Sequence, residues 1–436
     1  MALLTKAPRG TTDVLPSQSE RWQYVEKAMR TAAQRYGYNE IRTPTFEHTE
    51  LFNRSVGDTT DVVQKEMYTF EDKGNRSITL RPEGTAGVVR AILEHGLLGD
   101  ALPAKVSYFT NCFRYEKPQA GRLREFHQFG VEVFGAASAA ADAEVIAIAH
   151  TVLQSLGIDN VQLEINSIGC PECRKDYHAA LRAYFDARKD ELCETCQGRL
   201  EKNPMRILDC KSPICKEIAA GAPKAIEFLC GDCQAHFEQL KANLDAIGIG
   251  YVVNPTIVRG LDYYTRTVFE FVATGIGAQS TVCGGGRYDG LIEQMGGAPT
   301  PGLGFGMGIE RVLLAMEQCG AEIPREDNCL CYIGSMGEKA ALKAMELTEL
   351  LRSNGYFAAC DLMGRSVKAQ MKYADKVGAM FSVILGDNEL ETKQIRVKNM
   401  AEGVSADLKL DGAALMEYLD GQMVEAVAKR LQEAEE

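Results

Sequence analysis

No stretch of this sequence is apolar for long enough to cross a bilayer. The most apolar window, "AASAAADAEVIAIAHTVL", is interrupted by Asp142, Glu144 and His150, whereas a spanning helix needs roughly 20 apolar residues in a row. The opening "MALLTKAPRG" lacks the apolar core of a secretory leader, so the expectation is a cytoplasmic protein with no membrane partner. Positive charge is also in short supply: 48 Lys and Arg against 60 Asp and Glu leave a net charge of -12. That balance excludes a protein that coats nucleic acid indiscriminately, and any polyanion must meet local basic patches. Also missing are the GK dipeptide of a phosphate-binding loop, G-x-G-x-x-G, H-E-x-x-H and G-x-S-x-G. A nucleotide, if one binds, must be held by side chains.

What is present is a chain of 436 residues, long enough for two or three domains because single cores rarely grow beyond about 250 to 300 residues. Ser17 and Glu20 make a capping-box pattern ahead of the amphipathic "RWQYVEKAMRTAAQRYGY". "NEIRTPTF" follows as a strand interrupted by Pro44. "NRSITL" alternates like a strand and leads through "RPEGTAG" into a helix for which Thr85 is a candidate N-cap. "KVSYFTNCFRYE" and "LREFHQFGVEVFG" read as an antiparallel hairpin. Further strands are expected at "YVVNPTIVRG", "YYTRTVFEFVA" and "STVCGGGRYDG", and "GLGFGMGIERVLLAM" passes from extended to helical. The pattern predicts a mainly antiparallel sheet of six to seven strands flanked by helices over residues 1–325, interrupted by a helical, cysteine-rich insertion at 170–245. After a polar linker at 319–328 the chain alternates strand, helix, strand, helix, strand. That alternation predicts a small α/β domain over 329–436, ending in a charged helix.

The segment "FRYEKPQAGRLREFHQFGVEVFG" gathers Arg114, Lys117, Arg122, Arg124 and His127 in an acidic chain. Strand parity puts Arg124, Phe126, Gln128, Gly130 and Glu132 on one face, with Arg114 sharing that parity on the partner strand. A guanidinium fork suits phosphate oxygens and Phe126 can cover a base; the plainer reading is a hairpin with one solvated face. In "IVRGLDYYTRTVF" Arg259 adjoins Gly260, and Tyr263 and Tyr264 are expected on opposite faces. Glycines 302, 304, 306 and 308 leave one face of an extended segment without side chains, which admits a flat ligand or a closely packed helix. Arg311 sits in the first turn of the next helix, where the dipole disfavours a cation unless an anion accompanies it. Glu83 at a helix start can serve the dipole or grip an ammonium group.

Together these segments resemble the class II aminoacyl-tRNA synthetases, and among them the histidine-specific branch. "FRYEKPQAGRLREFHQFGVEVFG" looks like motif 2, "GLGFGMGIER" like motif 3, the helix and strand leading to Pro44 like motif 1, and "RGLDYYTRTVFEF" like the histidine signature peptide. The resemblance implies Glu83, Thr85 and Gln128 around the histidine α-ammonium, Glu132 and Tyr264 on the imidazole, and Tyr263 and Tyr288 lining the pocket. It further implies catalytic roles for Arg114 and Arg259 at the α-phosphate and carboxylate and for Arg311 at the outer phosphates and adenine, with Glu116, Arg122 and Phe126 as additional ATP contacts. ATP with Mg²⁺, L-histidine and histidine tRNA are the implied ligands, in a homodimer. The implied reaction makes histidyl-adenylate and pyrophosphate, then esterifies the terminal ribose of the tRNA. A rival is a catalytically silent relative serving as the regulatory subunit of ATP phosphoribosyltransferase; a third reading is a zinc-dependent nucleic-acid scaffold.

Eight of the 14 cysteines fall in the insertion, and in a reducing compartment they are not expected to form a disulfide framework. Cys170, Cys173, Cys193 and Cys196 have the spacing C-x₂-C-x₁₉-C-x₂-C, and Cys210, Cys215, Cys230 and Cys233 a looser C-x₄-C-x₁₄-C-x₂-C. Two structural zinc sites in that order, shared ligands, or simply packed thiols are open readings. Near the C-terminus Arg365, Lys368, Lys372 and Lys376 recur every three or four residues on one helix face. The stripe is either solvated or, by the same resemblance, an anticodon contact. Lys117 and Gln119 would face the acceptor end of the tRNA.

Overall fold

The structure, a computed structural model, describes residues 4–57, 60–99, 101–210, 212–273, 281–323 and 329–435. It divides into two compact units, Met1–Ile323 and Pro324–Glu436. Residues 324–328 of the expected linker lie outside the described residues. Among the described residues no helix is long and apolar enough to cross a membrane.

The first helix, Pro16–Arg35, starts one residue before the expected Ser17 cap. Leu15 is the N-cap, and the Gln18 side chain accepts its N–H at 3.3 Å. Proline explains the shift, because its fixed φ and missing N–H suit a first helical turn. Val25, Met29, Ala32 and Ala33 form the buried stripe. The strand expected across Pro44 is two strands, β1 (Asn39–Glu40) and β2 (Phe46–His48), in different sheets. Between them the carbonyls of Thr43 and Pro44 accept Arg81 Nη1 at 2.8 and 3.0 Å. β3 (Tyr68–Glu71) and β4 (Ser77–Leu80) complete a three-stranded sheet with β2.

The large sheet adds β5 (Ala104–Phe113), β6 (Glu125–Phe134), β7 (Val161–Ser167), β8 (Val252–Val253), β9 (Thr265–Ala273), β10 (Thr281–Arg287) and β11 (Gly302–Gly308). Its order is β1-β5-β6-β11-β10-β9-β7-β8. Six long strands pair antiparallel, and two-residue edge strands, β1 and β8, pair parallel with their neighbours. "YVVNPTIVRG" therefore holds only a stub of strand. Asn254 ends it by donating to Glu164 Oε2 at 2.6 Å and accepting Thr256 N at 3.0 Å, which leaves Arg259 in a loop.

The alternation of β6 and β11 sorts the sheet's two faces. Phe129, Val131, Val133, Leu303, Phe305 and Met307 turn to one side and pack with the apolar helix Ala139–Ser155. The even-numbered positions are left to the other face, where the site lies. Helices Pro171–Asp186, Glu194–Lys202, Met205–Leu208, Pro213–Ala220 and Gly231–Ala246 make up the insertion.

In the second unit β12 (Cys331–Ser335), β13 (Ala358–Cys360), β14 (Phe381–Leu385), β15 (Gln394–Asn399) and β16 (Ser405–Lys409) form a sheet of order β13-β12-β14-β15-β16. The parallel pairs join through helices Glu338–Ser353 and Val367–Lys376, and an antiparallel hairpin precedes the terminal helix Gly412–Glu435.

Candidate active site

β5 and β6 pair in unbroken register, Cys112 opposite Phe126, Thr110 opposite Gln128, Tyr108 opposite Gly130 and Val106 opposite Glu132. The predicted face is therefore intact from Phe126 to Glu132. A strand rises about 3.4 Å per residue, so these six steps span roughly 20 Å, enough for an amino acid joined end to end to a nucleotide.

The glycine stripe of β11 makes room for functional side chains from neighbouring strands, which neither expected reading foresaw. A Cβ on Gly302 would meet Tyr288 at 2.6 Å, one on Gly304 would meet Glu132 Oε2 at 1.9 Å, and one on Gly306 would meet Gln128 at 3.3 Å. Gly284 of β10 plays the same part for Arg259, whose Nη1 would lie 2.5 Å from an added Cβ. Side chains are absent here so that others can lie flat on the sheet.

At one end of this face a cleft of about 280 Å³ is lined by Arg114, Arg259, Arg311, Phe126 and Gln128 together with Glu270. Three guanidiniums far apart in sequence thus converge. Arg114 donates from Nε to the Pro82 carbonyl at 2.8 Å, and its guanidinium carbon stands 5.3 Å from the Phe126 ring centroid. Arg311 is held by the carbonyls of Gly121 and Thr281 at 2.9 and 2.6 Å. Burial, reinforced by the positive charges of Arg114, Arg122 and Arg259, pushes the Arg311 pKa down. Burial also works against Arg259, but Glu270 pairs with it and holds its pKa above the ordinary arginine value. A pocket whose cations repel one another is electrostatically suited to a polyphosphate.

At the other end Glu132 is fully buried and accepts Thr85 Oγ1 at 2.8 Å, Tyr108 Oη at 3.0 Å and the Tyr288 hydroxyl. Burial raises its pKa to about 8 despite these donors. Glu83 accepts the backbone N–H groups of Thr85 and Ala86, both at 2.8 Å, and burial raises its pKa too. Gly84 occupies the N-cap position expected for Thr85, and the Glu83 carboxylate satisfies two of the four orphan donors of the helix Thr85–Glu94. That arrangement frees the Thr85 hydroxyl for Glu132. Tyr263 and Tyr264 do not alternate, because both precede β9; their ring centroids are 4.7 Å apart and both are buried. Tyr264 stays in this pocket, 6.5 Å from the Tyr288 ring centroid, and also carries Arg259, whose guanidinium carbon is 5.8 Å from its ring centroid.

Other predicted residues distribute differently. Arg122 lines the cleft but pairs with buried Glu116. Lys117 and Gln119 are exposed on the hairpin loop. Arg124 and His127 do not join the cleft: Arg124 stacks 3.9 Å over Tyr115, and His127 Nδ1 lies 2.9 Å from Glu310. Odd parity turns His127 to the sheet's other face, against Trp22. In the second unit Lys368 and Lys372 are exposed on Val367–Lys376, but Arg365 precedes the N-cap and leaves the stripe. It pairs with Asp361 at 3.0 Å and covers Tyr373 at 4.2 Å.

The cysteines regroup as well. Cys170, Cys173, Cys230 and Cys233 form one cluster and Cys193, Cys196, Cys210 and Cys215 another, each with its sulfur atoms within 4.8 Å of one another. The quartets read in sequence order are therefore corrected. The insertion folds back on itself, so its first and last pairs meet at the base and its two middle pairs meet further in.

The model of the family described as Histidyl-tRNA synthetase matches residues 10–199 and 214–312, and that of the Anticodon binding domain matches 330–419. A histidine–tRNA ligase of Caldanaerobacter subterraneus subsp. tengcongensis is 57% identical over 409 residues, 94% of this chain and 98% of its own length. The chain belongs to the histidyl-tRNA synthetase family. A histidine–tRNA ligase of Clostridium novyi is 56% identical over 406 residues, 93% of this chain and 97% of its own. The crystal structure of apo S. aureus histidyl-tRNA synthetase superposes with a TM-score of 0.82 at 44% identity, covering 95% of this chain and all of that one.

Within this histidyl-tRNA synthetase fold three further residues that touch the candidate pocket were not legible in the sequence. Tyr108 shares the parity of Arg114 and stands against Gly84 and Gly130, so the hairpin register was the signal that could have found it. Glu270 also binds Thr281 Oγ1 at 2.7 Å, and nothing local marked it. Arg206, from the insertion, donates to Asp262 Oδ1 at 3.0 and 2.7 Å and to the Arg259 carbonyl at 2.9 Å.

Proposed function

We propose that the face from Phe126 to Glu132 carries both half-reactions of a histidine–tRNA ligase, with histidine bound at the Glu132 end and ATP at the arginine end. Family membership makes the chain an aminoacyl-tRNA ligase for histidine and sets aside the regulatory-subunit alternative. The observation that carries the residue assignment is the convergence of Arg114, Arg259 and Arg311 on one cleft beside Gln128.

Attack of a carboxylate on the α-phosphorus brings two anions together, so the protein's task is to neutralise charge and hold an in-line geometry. No general base is required, because the nucleophile is already ionised. Arg259 and Arg114 flank the α-phosphate and the histidine carboxylate, Arg311 takes the outer phosphates, and Phe126 covers the adenine. Glu83, Thr85 and Gln128 receive the α-ammonium. Glu132, with Tyr264, Tyr263 and Tyr288, hydrogen-bonds and encloses the imidazole, and a buried site built to hydrogen-bond a ring rejects analogues lacking the group by about 10⁴. Glu116 and Glu270 in the cleft lining are oxygen donors of the kind Mg²⁺ takes, and magnesium arriving with ATP would neutralise phosphate charge.

In this reading the exposed Lys117 and Gln119 meet the acceptor end of the tRNA, and the exposed Lys368 and Lys372 its anticodon arm. Likeness of the Pro16–Arg35 helix and the strands after it to motif 1 supports a homodimer, and the tRNA substrate supports a cytoplasmic setting. The test is exchange of labelled pyrophosphate into ATP. Exchange with histidine, and none with the other amino acids, is the expected result; exchange indifferent to histidine would overturn the reading.

A further inference from the structure

We propose that the insertion carries two structural zinc sites, one nested inside the other. Cys170, Cys173, Cys230 and Cys233 form the outer site at its base. Cys193, Cys196, Cys210 and Cys215 form the inner site against the nucleotide cleft.

Geometry carries the metal assignment. A zinc–thiolate bond of about 2.3 Å in a tetrahedron sets neighbouring sulfurs about 3.8 Å apart. Cys170 and Cys173 hold their Sγ atoms 3.6 Å apart and Cys193 and Cys210 theirs 3.8 Å apart, and each whole quartet fits within 4.8 Å. These separations are far longer than the roughly 2.0 Å of a disulfide, and all fourteen cysteines are free. An iron–sulfur cluster interposes its own atoms and needs the thiolates farther apart. Backbone donors already face the sulfurs: Cys230 N to Cys173 Sγ at 3.1 Å, Cys193 N to Cys215 Sγ at 3.4 Å and Ser212 N to Cys210 Sγ at 3.5 Å. Such N–H···S bonds orient and stabilise metal-bound thiolates.

The insertion also needs the linkage. Helices of four, eight and nine residues, Met205–Leu208, Pro213–Ala220 and Glu194–Lys202, fall below the roughly 12 to 15 residues at which an isolated helix becomes even marginal. The inner site brackets the first of them, with Cys196 before it and Cys210 after it. That single turn presents Arg206, which clamps Asp262 and the Arg259 carbonyl. Cys193 and Cys210 moreover line a pocket shared with Arg114, Glu116 and Arg122. The inner site is thus a positioning element for Arg259, an extension that rests on the catalytic reading above; the metal assignment does not. The outer site is rooted beside Tyr264, whose carbonyl accepts Arg174 Nη1 at 3.1 Å.

Metal analysis of the full chain purified without chelator is expected to find two zinc ions per chain. Cys193→Ser/Cys210→Ser and Cys170→Ser/Cys230→Ser each remove two ligands from one nested site and are expected to retain one zinc. Pairing in sequence order would place each of these doublets across both quartets and leave no zinc. Absence of zinc, iron in its place, or loss of both ions from either doublet while circular dichroism stays native overturns the proposal. Should a doublet fail to fold, X-ray absorption on the unmodified protein decides: four sulfurs at about 2.3 Å are expected, and nitrogen or oxygen in the shell refutes it. For the extension, Arg206→Ala should keep both zinc ions yet lower kcat of histidine-dependent exchange about tenfold with little change in the KM for histidine. A wild-type kcat removes the positioning role and leaves the metal sites standing.

Discussion

The two ends of the candidate pocket are stabilised in opposite ways. At the arginine-lined end Arg311 sits among three other guanidiniums, and burial and their charge lower its pKa. At the opposite end Glu132 is surrounded by hydroxyl donors from Thr85, Tyr108 and Tyr288 and holds its proton more tightly because of burial. One end awaits charge, while the other is a hydrogen-bond network largely complete within the protein. The contrast teaches that an anion entering the first end would relieve repulsion, whereas a ligand entering the second would have to exchange one satisfied set of hydrogen bonds for another.

Removing a cation should break the nucleotide end most severely. Arg259→Ala is expected to lower the rate of histidine-dependent pyrophosphate exchange by about 10²- to 10³-fold, the usual cost of losing one preorganised charge-stabilising donor. Arg259→Lys should recover little, since an ammonium lacks the fork. Activity surviving in Arg259→Ala would remove that residue from the chemistry.

A smaller and differently distributed loss is expected from Glu132→Gln. Leaving one buried hydrogen-bonding group without its partner costs about 1–3 kcal/mol, so kcat/KM for histidine should fall several-fold to about 100-fold, with the KM for ATP unchanged. Steady-state exchange with each substrate varied in turn separates the two ends.

Protonation sharpens the same contrast without touching the chemistry. The Glu132 pKa is raised from 4.5 to about 8 by burial, so between those values the folded protein binds a proton that the unfolded chain has released. The associated stability is fully present below pH 4.5 and is lost as pH rises toward about 8. Denaturant titrations across that window should show stability falling less steeply in Glu132→Gln than in the parent. Equal slopes would show that the carboxyl is not held protonated.

The mildest expected effect lies in the second unit. Lys368→Glu with Lys372→Glu should leave pyrophosphate exchange untouched, raise the KM for tRNA several-fold, and flatten the salt dependence by about one unit of slope per lost phosphate contact. Aminoacylation rates measured against salt concentration would show it.

Much of this was legible in the sequence because strands have a period of two. The face holding Phe126, Gln128 and Glu132, and the bare positions of β11, follow from counting residues, and the register is unbroken. Counting fails where a strand ends early. Tyr263 and Tyr264 were expected to diverge yet stack together before β9, and "YVVNPTIVRG" loses its strand at an Asn-Pro turn. It fails again where partners come from other elements, as with Glu270 for Arg259 and Arg206 for Asp262. The cysteine pairs were visible as pairs, but four pairs can be matched three ways, and only the folding back of the insertion chooses among them.

Four of the seven residues in β11 present nothing but hydrogen to the candidate pocket. Any missense change there adds at least one carbon, and at Gly304 it would land 1.9 Å from a carboxylate oxygen of Glu132. The cost is graded along the strand: an added carbon clashes outright at Gly302 and Gly304, crowds Gln128 at 3.3 Å from Gly306, and meets Arg311 at an ordinary 3.7 Å from Gly308. If the proposed pocket holds, evolution at its tightest point can keep only the smallest residue the code can write.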